Sequence, residues 1–492
     1  MSANPSSGVG QVRKRLFVFC DGTWQDGVNK SQPPTNVGTL ARCLEGVSED
    51  NYLQIVYYDS GIGNGTSWFG QRVDAATGRG IEAKIRNAFS FLSHNYTFGK
   101  QESPPNDTGQ DEIILVGYSR GAFAVQCLAS FISQTGLLEP QHLYYLRGLF
   151  TLWENRDLTP LGRGPRTPIQ IKLNEEVDGF LTARILHKVP IKACVLWDTV
   201  SSLGSLIPRP RRLSHVGNTV PEAVQNAFQA LALNETRTQF QPCIWKSKEN
   251  KDTFAKQCWF LGSHGDVGGG QDAALGAVTL IWMIGLLQAR TGTKFSLAEI
   301  GKHLRHKLLE WDFHVNHITG RLTQITTLTR MSTLGQATTM SPLWWITGMR
   351  NRQIVYEAGQ MDSRFQVSIS VHFTVRFAMS KDSHACPVLR DWKTTPQPNG
   401  VVLWEGQNSV LLEEELDEKN ISSHEYKYLR DWCDDNFPVL QTDRDRFAEQ
   451  HQADIQTPGS HESLDSFLSL LRECLIFEEH KLAPGRHYNT WI

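Results

Sequence analysis

Residues 112–133 read EIILVGYSRGAFAVQCLASFIS. A continuous apolar run, Glu112–Val116, meets Gly117-Tyr118-Ser119-Arg120-Gly121 and passes directly into an apolar helical stretch, Ala122–Gln134. A run without polar alternation is the pattern of a strand buried on both faces, as in a parallel sheet. G-x-S-x-G between such a strand and a helix is the pattern of a nucleophile elbow. The glycines let neighbouring backbone pass close to a sharp turn. The serine hydroxyl then stands at a helix N-terminus, where the Arg120 N–H can face a developing oxyanion.

Working outward, four more apolar runs have the same character: Arg15–Cys20, Gln54–Asp59, Lys192–Trp197 and Lys256–Leu261. Helical spacing occupies Ile81–Tyr96, and Ala273–Ala289 is apolar enough for a buried helix. Each strand runs into a polar or glycine-rich stretch: DGT, DSGIG, GYSRG, DTVSS and GSHGDVGGG. In open α/β sheets the functional loops lie beyond the carboxyl ends of the strands. The expected fold is therefore α/β, α/β-hydrolase-like, with a mostly parallel sheet, helices on both faces, cap insertions and a C-terminal extension. Residues 1–14 are expected to be a disordered tail. Residues 15–384 would form the catalytic domain, with insertions near 137–190 and 300–350 and a late alternating strand at Gln366–Phe377. Residues 385–492 would form a C-terminal subdomain or extension.

Composition narrows the function classes. The chain has 492 residues, 40% of them hydrophobic, and 49 Lys+Arg balance 51 Asp+Glu to a net charge of −2. That excludes a chain-wide basic field for nucleic acid. The nine cysteines are scattered without any C-x-x-C, which is neither a disulfide nor a zinc framework. The polar N-terminus has no signal-peptide pattern and no apolar run is long and unbroken enough to span a bilayer, so a cytoplasmic protein is expected.

A serine nucleophile needs a base and a group that orients it, and on this architecture the chain order is Ser, acid, His. Two sets satisfy that order. Ser119, Asp266 and His372 place each residue on a different loop and are preferred; Ser119, Asp198 and His264 are the rival set. The first strand ends in Asp21-Gly22-Thr23, so the backbone N–H of Gly22 or Thr23 could join Arg120 in an oxyanion hole, with Asp21 in support or in an Asx turn. A phosphatase reading of this stretch fails, because Phe19 stands where a nucleophilic aspartate is needed. The glycine-rich loops at Gly61–Gly65 and Gly78–Gly80 match no phosphate-binding fingerprint. His264 and Asp266 alone make no metal site, and neither metal nor cofactor is expected. Trp344-Trp345 is a candidate for lipid contact or for the core.

Taken together, FVFCDGTWQD with PTNVGTLARCL, YYDSGIGNG, GYSRGAFAV, LWDTVSSLG and WFLGSHGDVGGG resemble the DUF2235 family. These are α/β-hydrolase-like proteins related to the catalytic domain of Tle1-type type VI secretion phospholipase effectors. The resemblance runs from about residue 13 to residue 380. It implies a serine ester hydrolase, with an ester or lipid substrate, possible transient contact with a membrane surface, and a triad of Ser119, Asp266 and His372. Gly265 stands where the family often has serine. The rival readings are an esterase or thioesterase on a soluble substrate and a non-catalytic binding protein on the same fold.

Overall fold

The structure is a computed structural model. It describes residues 12–22, 34–60, 79–98, 110–156, 167–201, 213, 216–270, 273–296, 298–300, 302–303, 351–354, 363–372, 375–376, 379, 386–397, 402–406 and 409–414. Thr23, the Gly61–Gly65 loop, Trp344, Trp345, nearly all of 300–350 and everything after Glu414 lie outside these residues.

The strands are β1 (Lys14–Cys20), β2 (Leu53–Asp59), β3 (Glu112–Tyr118), β4 (Leu137–Leu138), β5 (Leu186–His187), β6 (Ala193–Trp197), β7 (Thr219–Val220), β8 (Asn226–Ala232), β9 (Ser247–Lys248), β10 (Phe254–Phe260), β11 (Ile369–His372), β12 (Lys393–Pro396), β13 (Val402–Glu405) and β14 (Val410–Glu414). Ten of them form one sheet in the order β12-β13-β14-β11-β10-β8-β6-β3-β1-β2. From β2 to β14 every pairing is parallel; only β12–β13 and β13–β14 are antiparallel. The fold is α/β with a mostly parallel sheet.

Side-chain alternation in β1 shows how the faces are filled. Leu16, Val18 and Cys20 pack with helices α2 (Arg79–Asn95) and α3 (Arg120–Thr135). Phe17 and Phe19 point the other way, into a cluster with α1 (Asn36–Arg42) and the long helix at Ala273–Thr291. Period-two alternation between two apolar layers is what makes the strand read as an unbroken apolar run. Between β4 and β5, α4 (Leu146–Glu154) and α5 (Pro168–Thr182) form a helical insertion. After β10 come a single turn, α6 (His264–Val267), and then α7 (Ala273–Thr291). No helix among the described residues is long and apolar enough to cross a membrane.

Three features differ from the sequence reading. Strand β8, NAFQALA, was not anticipated, although all seven residues are buried. Its alanines favour helix and are depleted in strands; here small side chains fit between two crowded layers. The late strand is short: it ends at His372, and Val375–Arg376 are helical. Finally, β14 pairs in parallel with β11, so the central sheet continues through residue 414. The β12–β14 meander, which lies after residue 385, forms that edge of the sheet.

Candidate active site

Ser119 follows β3 directly, with φ 59° and ψ −125°, and caps α3. That left-handed φ costs a non-glycine residue about 1–3 kcal/mol, and such strain gathers at functional sites. The flanking glycines follow from geometry. A Cβ on Gly121 would lie 2.2 Å from the Cys20 carbonyl oxygen, and one on Gly117 would lie 2.6 Å from the Cα of Ala122. The elbow is wedged between its own helix and the end of β1.

Asp198 directly follows β6, the strand beside β3, and also has a positive φ of 43°. His264 opens α6 after β10. Its Nε2 lies 2.8 Å from the Ser119 Oγ, and its Nδ1 lies 2.6 Å from the Asp198 Oδ2. All three residues are buried. The imidazole sits between aromatic rings, with Tyr118 stacked at 4.9 Å and Phe240 edge-on at 4.9 Å. The Tyr118 hydroxyl donates to the His264 carbonyl oxygen at 3.0 Å. Packing on both faces leaves the ring little freedom to turn away from Ser119.

The sheet gathers the surrounding groups at the carboxyl ends of its parallel strands. Just beyond β8, Glu235 accepts from the His264 backbone N–H at 3.3 Å and is held by Arg237 in a two-pronged ion pair. Burial opposes ionisation of Glu235, but Arg237 outweighs it and keeps the carboxyl below its ordinary range. Asp198 accepts from the Ala232 N–H at 3.0 Å and from both terminal nitrogens of Arg352, at 2.5 and 2.8 Å. Burial would push its carboxyl up; the Arg352 charge and the bonds from His264 and Arg352 instead hold it well below the usual carboxylate range.

The other expected site residues lie elsewhere. The preferred pair, Asp266 and His372, is not what the fold brings to Ser119. Asp266 Oδ2 accepts from the Ser263 N–H and Oγ, both at 2.7 Å, as the capping box of α6. His372 ends β11, stacks on Phe260 at 4.6 Å, and is pushed down to about 4 by burial. In the sheet order β11 is four strands from β3, roughly 19 Å at about 4.8 Å per strand. His264 bridges a gap of three strands because its loop crosses the end of β8, where the Asn234 N–H bonds the Gly262 carbonyl oxygen.

Gly22 stands beside the elbow, but its N–H donates to the Asp21 Oδ1 at 2.7 Å and so is not directed at an oxyanion. Asp21 is buried and also accepts from the Tyr58 hydroxyl and Thr35 Oγ1. Burial raises its pKa despite those donors. Burial also lowers Arg120, to about 10. Arg352 was missed altogether, because nothing in GMRNRQ marks it as a residue of this site. Among the described residues no group of three or more His, Cys, Asp or Glu is placed to hold a metal ion.

The chain is similar to several known proteins. An uncharacterized protein of Saccharomyces cerevisiae is 27% identical over 248 residues, covering 49% of this chain and 34% of that protein, so the chain spans about a third of this relative's length. Among solved structures, an uncharacterized protein from Pseudomonas aeruginosa aligns over 68% of this chain and 56% of its own at 14% identity, with a TM-score of 0.33. A Tle1 effector bound to the VgrG spike of the type VI secretion system aligns over 53% and 51% at 19% identity, with a TM-score of 0.27. The family described as T6SS phospholipase effector Tle1-like, catalytic domain, matches residues 14–285, a span that holds the elbow, Asp198 and His264. With more than half of its length in that match, the chain belongs to the Tle1-like phospholipase effector catalytic domain family.

Proposed function

We propose that the protein is a serine hydrolase of carboxylic esters, of lipid or phospholipid type, working through Ser119, His264 and Asp198. The observation that carries this reading is His264, which reaches Ser119 Oγ with one ring nitrogen and Asp198 with the other. In the proposed reaction His264 Nε2 takes the Ser119 proton as Oγ attacks the ester carbonyl. Asp198 holds the Nδ1–H tautomer and balances the imidazolium that forms. In this reading the backbone N–H of Arg120, the first residue of α3, would donate to the oxygen that becomes negative; one such donor is worth about 3 kcal/mol of barrier. His264 then returns the proton to the leaving alcohol, and water resolves the acyl-enzyme by the same base. The lipid character of the substrate is supported by family membership.

The test compares wild type with Ser119→Ala on phosphatidylcholine vesicles and on short-chain p-nitrophenyl esters, together with fluorophosphonate labelling. Ser119→Ala is expected to lose labelling and to lose ester turnover by at least three decades. Equal turnover in the two proteins would refute the serine mechanism. Turnover of soluble esters with none on vesicles would retain the mechanism and assign a soluble substrate.

A further inference from the structure

We propose that Arg352 is a positioning residue of the triad: its two-pronged grip on Asp198 balances the carboxylate and aims it at His264. The proposal rests on Ser119, His264 and Asp198 being the catalytic set. Arg352 comes from the far side of the chain, 154 residues after Asp198, yet its side chain is fully buried against it. Nη1 donates to Asp198 Oδ1 and to the Ala232 carbonyl oxygen, while Nη2 donates to Asp198 Oδ2 and to the Phe240 carbonyl oxygen. The guanidinium is thus fixed by two backbone carbonyls before it meets the carboxylate. It is held as a rigid part of the site.

Two consequences follow. The first is orientation. With Oδ1 taken by Ala232 N–H and Arg352 Nη1, the carboxylate plane is set, and Oδ2 is left facing His264 Nδ1. A planar fork does this; a lysine ammonium, a point charge, cannot grip both oxygens in the same way.

The second consequence is charge. The groups facing His264 are Asp198, Arg352, Glu235 with its partner Arg237, and Tyr118. Tyr118 is kept neutral by burial and by the Asp198 charge. Glu235 and Arg237 cancel. Asp198 and Arg352 cancel in the same way, so the carboxylate that faces His264 is a paired buried charge.

The test measures kcat and KM for a p-nitrophenyl ester in wild type, Arg352→Gln and Arg352→Lys, with active sites counted by fluorophosphonate titration. In both variants kcat per titrated site is expected to fall about tenfold or more at unchanged KM, because neither side chain grips both carboxylate oxygens as the guanidinium does. A purely structural role would reduce the number of titrated sites in both variants and leave the turnover per site alone. Wild-type turnover per site in Arg352→Gln overturns the proposal. Should that variant fail to fold, wild-type turnover per site in Arg352→Lys overturns it. Either result, in a protein whose activity still depends on Ser119, leaves the triad intact; activity independent of Ser119 would sink the triad itself.

Discussion

Asp198→Asn separates the two sets of residues that the chain order allows. The Asp198 carboxylate takes hydrogen bonds from Ala232, from two Arg352 nitrogens and from His264. An asparagine offers one acceptor atom, and its NH2 must face either the guanidinium or the imidazole. Facing the imidazole, it makes Nδ1 the acceptor and leaves the proton on Nε2, opposite Ser119. The base is then lost, and the wrong tautomer costs about 10⁴-fold in kcat. The same change leaves the buried Arg352 guanidinium without its counter-ion, and breaking one side of a buried pair costs about 3–5 kcal/mol of stability. The double variant Asp198→Asn/Arg352→Gln should regain most of that stability and none of the activity, because removing both charges of a buried pair is nearly neutral. Asp266→Asn is the control. It weakens a helix cap, which costs about 1 kcal/mol, and should change kcat less than tenfold. The measurements are turnover per titrated active site and urea unfolding. A loss of several decades in Asp266→Asn, with Asp198→Asn within tenfold of wild type, would refute the assignment.

Exchange of the two histidines gives a parallel comparison: His264→Gln should abolish ester turnover, while His372→Gln should keep it within about tenfold. His372 also gives a pH signature. Its folded pKa of about 4 lies below the unfolded value near 6.5, so the unfolded chain binds the extra proton first. Its contribution is whole above about pH 6.5 and is lost as pH falls toward 4, amounting to roughly 3 kcal/mol. Urea unfolding at pH 7 and pH 4.5 should show that loss in wild type and a flatter response in His372→Gln; equal slopes would count against it. Gly121→Ala drives a Cβ to within 2.2 Å of the Cys20 carbonyl oxygen, which is backbone and cannot swing aside. We expect a loss of about 3 kcal/mol or more in an unfolding titration; near-wild-type stability would mean that the elbow is looser than described.

Most of the parallel sheet could be read from the chain. Strands β1, β2, β3, β6 and β10 each carry a short apolar run, and their sequence positions agree with the structure to within two residues at every end. The elbow was legible because its constraint is local: the serine, both glycines, the strand and the helix all lie within 24 residues. Strand β8 escaped because Ala227, Ala230 and Ala232 carry no strand preference, and burial between two layers came from the sheet, not from their side chains. Gln229 sits in the same strand as a buried polar residue, satisfied by Thr199, Gln257 and the Cys243 carbonyl oxygen. No sequence pattern announces those partners.

By itself, the sequence determined the α/β architecture and the placement of Ser119 on a strand–turn–helix elbow, since both rest on the periodicity and small residues of short contiguous segments. Which acid and which histidine stand near Ser119 was decided only in three dimensions. Both sets obey the order Ser, Asp, His along the chain, and chain order carries no distance. The sheet order places β6 beside β3 and leaves β11 four strands away. The loop after β10 then folds back over β8 to carry His264 to Ser119. Arg352 belongs wholly to the tertiary structure. A buried carboxylate needs a counter-charge and hydrogen-bond donors, and the fold supplied them from a segment that local sequence gave no reason to associate with the site.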